Sequence, residues 1–360
     1  GRTTETTLSH SHLVRCAATQ SVVPITGADM TVGMRIPVAL HIENTAELTM
    51  NTVTLCDASE VELDAAFGWF VGAYLAEGAL NGNGIRITNI SEHYIKNVTA
   101  MAERFDRKAR VNRRAGEYGP STSTTFAHKP LASLLKAECA TGSFVKRVPD
   151  FAFTAPLAFK AAMLRGYFDG DGNFQCDAAH HQIRACSRSE QLIKDLALML
   201  NYFDMFSTLS TKEVAGEPLH HLVVLAKYAP AYQRDIGSDL HADRLQQLVE
   251  HAERTDAHSQ CEFVDKINGV GEIVAACGKK LGLPGQSRTH GRWARSGKAI
   301  GRRTLQRYLA EFEVHPDKAK ISAELSVLRQ AVHAGVVWDE VMSIDIYTPS
   351  QTEYVYDFTV

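Results

Sequence analysis

The sequence predicts an α+β protein in which a duplicated body of helices and strands interrupts a β-rich shell. Three observations carry this: strand-like alternation at both ends, an internal repeat in the middle, and two apolar helical segments that each end in an acid followed by glycine. Residues 1 to about 56 are rich in Thr, Val and Ile and alternate apolar with polar, as in IPVALHIEN at 36–44, the period of a half-buried strand. From about 60 to 260 helical and strand patterns alternate, a basic helical stretch follows from about 262 to 313, and a polar amphipathic helix covers roughly 317–335. The end, MSIDIYTPSQTEYVYDFTV, returns to alternation. Ends that match each other and not the middle imply one domain with an insertion.

Composition bounds the class. At roughly 150 residues per domain, 360 residues suggest two to three domains, and 45% hydrophobic with 22% charged residues is an ordinary globular balance. No apolar run approaches the ~18 residues of a membrane span. Seven cysteines without a CxxC pair speak against a disulfide framework or a zinc knuckle and fit a reducing cytosol. The chain opens on Gly1 and stops in mid-strand at Val360, as expected of a piece of something longer, and it shows no signal peptide.

The repeat aligns SEHYIKNVTAMAERFD at 91–106 with SEQLIKDLALMLNYFD at 189–204, seven identities in sixteen positions at a constant offset of 98. Lys129 and Lys227 fall at the same offset, each after an alternating strand. Two copies of one unit imply a pseudo-twofold axis, which suits a pseudo-symmetric target such as duplex DNA.

Upstream of each repeated helix lies an apolar segment, FGWFVGAYLAEG at 67–78 and AAMLRGYFDGDG at 161–172. Gly72 and Ala76, like Gly166 and Gly170, stand four apart, a stripe that lets two helices touch backbone to backbone. Gly78 and Gly172 suit the left-handed position that ends a helix. Glu77 and Asp171 then sit at negative helix ends, unfavourable by ~0.3–1 kcal/mol each. In a parallel pair they meet, and like charges in one site need a proton or a cation. Oxygen-only ligands favour Mg²⁺, with Mn²⁺ also suited, over zinc. Carboxylates that hold metal between an attacking water and a leaving oxygen make a phosphodiester hydrolase.

FVGAYLAEG at 70–78 and LRGYFDGDG at 164–172 resemble the two LAGLIDADG motifs of double-motif (dodecapeptide, DOD-type) homing endonucleases. The resemblance implies two pseudo-symmetric αββαββα halves that meet at the paired helices, and the last acid of each motif, Glu77 and Asp171, as metal ligand. SFVKRVPDF at 143–151 is similar to the Lys-x-x-Pro block before the second motif, which makes Lys146 a candidate to polarise the reacting water or phosphate. Lys227 is assigned the same role by symmetry with Lys129.

The ends resemble an intein. GRTTETTLSHSHLVR at 1–15 is similar to the block in which Thr-x-x-His activates the upstream splice junction, with Thr7 and His10 in place. YVYDFTV at 354–360 resembles the late block, whose acid is Asp357. The sequence carries no Cys or Ser ahead of Gly1 and no His-Asn after Val360, so as it stands it should not complete splicing.

From Ile273 to Ala310 there is no Asp or Glu, against nine cations: Lys279, Lys280, Arg288, Arg292, Arg295, Lys298, Arg302, Arg303 and Arg307. The total of −3 therefore averages +9 here against −12 elsewhere. Such a stretch is a phosphate-binding footprint, and its pattern of two helices resembles a helix-turn-helix. A second cluster, Arg107, Lys108, Arg110, Arg113 and Arg114, falls on a predicted strand. The family resemblance implies that such strands saddle the major groove, with Arg110 or Arg113 within reach of guanine edges.

The resulting expectation is a split Hint splicing domain (1–58 and 336–360) around a LAGLIDADG nuclease (59–250, with repeats of about 62–150 and 151–250) and a helical DNA-recognition subdomain (260–315). Its reaction would be Mg²⁺-dependent cleavage of both strands of double-stranded DNA at the intein-free allele, by a monomer in the cytoplasm. Besides DNA, its partner would be the flanking host protein. Two alternatives remain at this stage: a DNA-binding protein that keeps the fold without cleaving, and a splicing element with a decayed nuclease.

Overall fold

A computed structural model describes residues 2–16, 21–116, 119–256, 265–283 and 299–348. The chain divides into two compact units, one of Gly1–Arg2 with His41–Ala257, the other of Thr3–Leu40 with His258–Val360.

The second unit draws on both flanks of the chain. Strands β1 (Ser11–Cys16) and β2 (Ser21–Thr26) form an antiparallel hairpin. Strand β3 (Arg35–Ala39) pairs antiparallel with Val336–Glu340 from the other flank, Val38 opposite Val337. IPVALHIEN is a strand only as far as Ala39, and the boundary falls at Leu40/His41, not near 58.

The first unit begins with a short hairpin, β4 (Thr52–Thr54) and β5 (Glu60–Glu62), and contains two copies of one topology. The first copy is α1 (Ala65–Glu77), β6 (Gly78–Asn81), β7 (Gly84–Thr88), α2 (Glu92–Arg104), β8 (Arg110–Gly116), β9 (Gly119–Ala127) and α3 (Lys129–Glu138). After α4 (Asp150–Thr154) the second is α5 (Leu157–Asp171), β10 (Gly172–Cys176), β11 (His181–Ser187), α6 (Glu190–Asn201), β12 (Ser207–Val214), β13 (Glu217–Leu225) and α7 (Ala229–Asp235), followed by α8 (Ala242–Asp256). The sheets share one strand order, β6-β7-β9-β8 and β10-β11-β13-β12. The repeated residues do repeated work. Ser91 and Ser189 cap α2 and α6 by accepting from His93 N and Leu192 N, while Asp106 and Asp204 both take the left-handed conformation, φ 53° and 58°, which Asp tolerates.

The remaining elements belong to the second unit: β14 (Lys266–Ile267), α9 (Gly271–Lys280), β15 (Ile300–Gly301), α10 (Arg302–Val314), α11 (Ser322–His333) and β16 (Val336–Glu340). Ile267, Val274, Leu305, Phe312, Leu328 and Trp338 of β16 share one apolar core. The basic helices are thus built onto the same core as the C-terminal flank and do not form a separate subdomain.

The core of the first unit is the contact between α1 and α5. The helices run parallel: Gly68 faces Phe159, Gly72 faces Met163 and Tyr167, and Gly170 faces Ala76 and Glu77. A Cβ on Gly72 would stand 1.9 Å from Met163 O, and one on Gly166 would stand 2.3 Å from Trp69 O. Such backbone-to-backbone approach excludes any side chain. Gly72→Ala should therefore destabilise the unit by about 3 kcal/mol or more, whereas Gly335→Ala, with nothing within 4 Å of the added carbon, should be near neutral. Denaturant unfolding of both variants checks this, and equal losses would remove the helix contact from its central place.

A candidate carboxylate site at the helix-pair end

Because α1 and α5 are parallel, their C-termini arrive together, and Glu77 and Asp171 line one open cleft of about 360 Å³ with Lys146, Leu192 and the loop 141–143. Each helix passes without a loop into the first strand of its sheet, at Gly78 and Gly172. Both glycines are extended, φ −87° and −81°, not left-handed as the sequence suggests. Glycine is needed here for space: a Cβ would stand 2.5 Å from Tyr74 O at Gly78 and 2.2 Å from Phe168 O at Gly172.

Burial first, then the charge of Asp171, pushes the Glu77 carboxyl up to about 7, against the pull of Lys146 and a 3.4 Å hydrogen bond from Asn89 Nδ2. Asp171, exposed at the cleft, is nevertheless pushed up to about 6 by the desolvation of its surroundings, opposed by Lys146. Lys146 is 7% exposed and donates to Tyr74 O (2.9 Å), Leu75 O (3.0 Å) and Gly78 O (2.9 Å). These three bonds use its three protons on the C-terminal carbonyls of α1 and the strand that follows. The structure therefore gives Lys146 the role of a helix-end cation that also attracts both carboxylates, and not of a donor pointing at a water.

Lys227 lies on the 3-10 turn Ala226–Tyr228, its Nζ 4.9 Å from the Tyr228 ring centre, and is not among the residues that line the cleft. Thr7 and His10 are joined by a turn, His10 N donating to Thr7 O at 3.1 Å, and the His10 ring meets His12 edge-on at 5.0 Å. Asp357 lies outside the described residues.

The sheets settle the side-chain facing left open by sequence. Cross-strand pairing sets Arg86, Thr125 and Arg110 in one row, with Thr88, Asn112, Arg114, Ser121 and Ser123 on the same face. All three arginines of this face are exposed. Arg113 points to the other face and pairs with Glu92 at 2.7 Å. Arg107 and Lys108 are exposed in the turn before β8, with Arg107 Nη1 donating to Asp106 O. In the second sheet, Arg184 and Lys212 are on the corresponding face. Arg86, Arg184 and Lys212 escape a search for charge runs, since each stands alone. Their signal is the alternation itself, as in Ile85-Arg86-Ile87, where the isoleucines are buried.

In the basic segment, Arg302 must be corrected. It is 6% exposed, pairs with Asp265 at 2.8 Å and donates to the carbonyls of Ala331, Val332, Ala334 and Val336. It caps the end of α11 and is closed to phosphate. Lys280 pairs with Glu324, Lys279 and Arg307 are exposed, and Arg303 is half-buried. Arg288, Arg292, Arg295 and Lys298 lie outside the described residues.

Residues 158–237 match the LAGLIDADG-like domain. Along its whole length the chain is similar to a part of the DNA-directed RNA polymerase subunit Rpo1C of Methanocaldococcus jannaschii, 28% identical over 393 residues that make up 43% of that protein. Elongation factor 2 of Methanopyrus kandleri is 24% identical over 292 residues, 80% of this chain and 22% of that protein. The chain thus spans less than half the length of these relatives. The crystal structure of I-DmoI in complex with DNA and Mn aligns over 49% of this chain and 98% of its own, with 13% identity and a TM-score of 0.37.

The folded state holds protons on Glu77 and Asp171 above their ordinary values of 4.5 and 3.8, to about 7 and 6. It therefore binds more protons than the unfolded chain across that window, and stability falls as pH rises through it. Glu77→Gln and Asp171→Asn should each raise the melting temperature at pH 8 in EDTA, by roughly 2–4 °C for ~1 kcal/mol after allowance for solvent screening, and leave it unchanged at pH 4. Identical pH–stability curves for wild type and variants would contradict the pairing.

Proposed function

We propose that the chain is the endonuclease-bearing body of an intein, and that it cleaves double-stranded DNA by metal-dependent phosphodiester hydrolysis at a site lacking its own coding insert. The observation that carries this is the delivery of Glu77 and Asp171 to one cleft by a parallel helix pair. Between them they form an oxygen-only donor set whose carboxyls are both pushed up by loss of hydration, Glu77 also by the charge of Asp171, so a divalent cation relieves what a proton otherwise must. Among the described residues no group of three or more His, Cys, Asp or Glu stands close enough to hold a metal. Two carboxylates nevertheless suit Mg²⁺ or Mn²⁺, which keep waters and take further oxygens from a bound phosphate.

Glu77 and Asp171 would hold the ion, which supplies charge neutralisation at the phosphate and a water of lowered pKa. Lys146 fixes the end of α1 through three carbonyls. The outward faces of the sheets, with Arg86, Arg110 and Arg114 in one and Arg184 and Lys212 in the other, offer the positive, hydroxyl-rich surface that duplex DNA requires.

Support for an inserted element comes from the relatives. Segments similar to this chain occur within an RNA polymerase subunit and within an elongation factor, as an inserted passenger would. The unit assembled from both flanks, with β3 paired to β16, is the arrangement a split splicing domain needs, in which Thr7, His10 and Asp357 would serve the junctions.

The test is a supercoiled plasmid that carries the host sequence joined without the insert. Wild type should linearise it with Mg²⁺ and not with EDTA. Glu77→Ala and Asp171→Asn should each lower the rate by about 10³-fold or more, a plausible cost for losing one of two metal ligands, while leaving DNA affinity within about threefold. A double variant that still cuts would sink the site assignment, and wild type that binds and never nicks would favour the non-cleaving alternative.

A second prediction concerns the first sheet. Arg86→Ala and Arg110→Ala should each weaken DNA binding and reduce the salt slope by about one, whereas Arg113→Ala should do neither. Binding measured against salt concentration decides it.

A further inference from the structure

The two outward sheet faces differ in one contact. On the second, Arg184 Nη2 lies 2.7 Å from His221 Nδ1 and 3.5 Å from Nε2. An arginine has only protons to give, so this close approach suits a neutral imidazole. His221 is 4% exposed, and no carboxylate pairs with Arg184 among the described residues. A buried neutral ring therefore fixes a guanidinium on the face that also carries Asn173, Gln175 and Gln182, leaving the rest of its fork for another acceptor. The first sheet has no histidine in its strands, and its Arg86 and Arg110 are exposed without such an anchor.

We propose that His221 is a positioning residue that holds Arg184 ready to read a guanine in the second half-site, and that protonation of His221 releases it. This rests on the DNA-recognition reading above. Once the ring is protonated, two positive groups would meet at 2.7 Å. The groups around the ring oppose that event. Burial, Arg184 of β11, Lys212 of β12 and the neighbouring His220 all hold His221 below the ordinary histidine value. Directly opposite in the register stand Cys186 on β11 and Ser210 on β12. The adjacent acid, Glu190 of α6, is coupled to His220, which lies on the opposite side of the sheet with Thr211. At neutral pH the pair is therefore closed, and only acid opens it.

The consequence is an asymmetric reader, in which fidelity at one half-site depends on pH and fidelity at the other does not. The test is selection from a random duplex library by the full chain in Ca²⁺, at a fixed salt concentration and between pH 8 and pH 5, with circular dichroism as a check on folding. At pH 8 wild type should enrich one G·C pair in the second half-site by ~10-fold or more over the other bases, the order of a bidentate arginine contact. Arg184→Ala should lose that preference and keep the first half-site. His221→Ala should lose it at every pH. His221→Asn, whose side-chain oxygen can accept from Arg184 and does not titrate, should keep it at every pH, whereas wild type should lose it as the pH falls.

Identical selected sequences for wild type and Arg184→Ala overturn the inference. So does a wild-type preference that is the same at pH 5 and pH 8, or a His221→Ala variant that selects as wild type does. A library from which nothing is enriched overturns DNA recognition itself, and this inference with it.

Discussion

Gly68, Gly72 and Gly166 allow α1 and α5 to touch backbone to backbone, with no room for a side chain of any size, and Gly170 leaves space for the side chains of Ala76, Tyr94 and Glu77. Because the helices are parallel, this one contact does two things. It joins the two repeats, whose sheets share one strand order, through one continuous core, and it brings two acids to one end. The second is electrostatically unfavourable, since negative helix ends and like charges converge. Packing of large apolar side chains such as Phe70, Phe159 and Phe168 sustains an arrangement that charge alone would disperse.

Lys146 is the local compensation. Its ammonium lies on the carbonyls that end α1 and in the field of both carboxylates. A helix end is normally closed by glycine or water; here a buried cation does it, and the second helix has no matching lysine among the cleft residues. The two halves are thus equal in topology and unequal in chemistry, a difference repeated on their outer faces by exposed arginines in one and a histidine-anchored arginine in the other.

Much of this was legible beforehand, for identifiable reasons. The Gly/Ala spacing and the acid-glycine endings survive in one dimension because helix contact depends on i, i+4 periodicity, and the offset of 98 marks the duplication without any structure. The facing of Arg113 was not legible, because an odd or even position on a strand means nothing until the register is known. Arg302 read as part of a basic run, and only the three-dimensional meeting with Asp265 and the end of α11 shows it to be a cap. Gly78 and Gly172 were rightly placed at helix ends but for the wrong reason, since a sequence does not distinguish a demand for positive φ from a demand for empty space.

That demand for space has its own consequence. With no loop between α1 and β6, or between α5 and β10, each acid is rigidly joined to the first strand of a sheet. A tilt of either sheet must carry its carboxylate along, because no hinge residue lies between them to absorb the motion. The distance between the two acids is therefore a readout of how the two sheets are set, and whatever tilts one sheet also changes the geometry at the cleft.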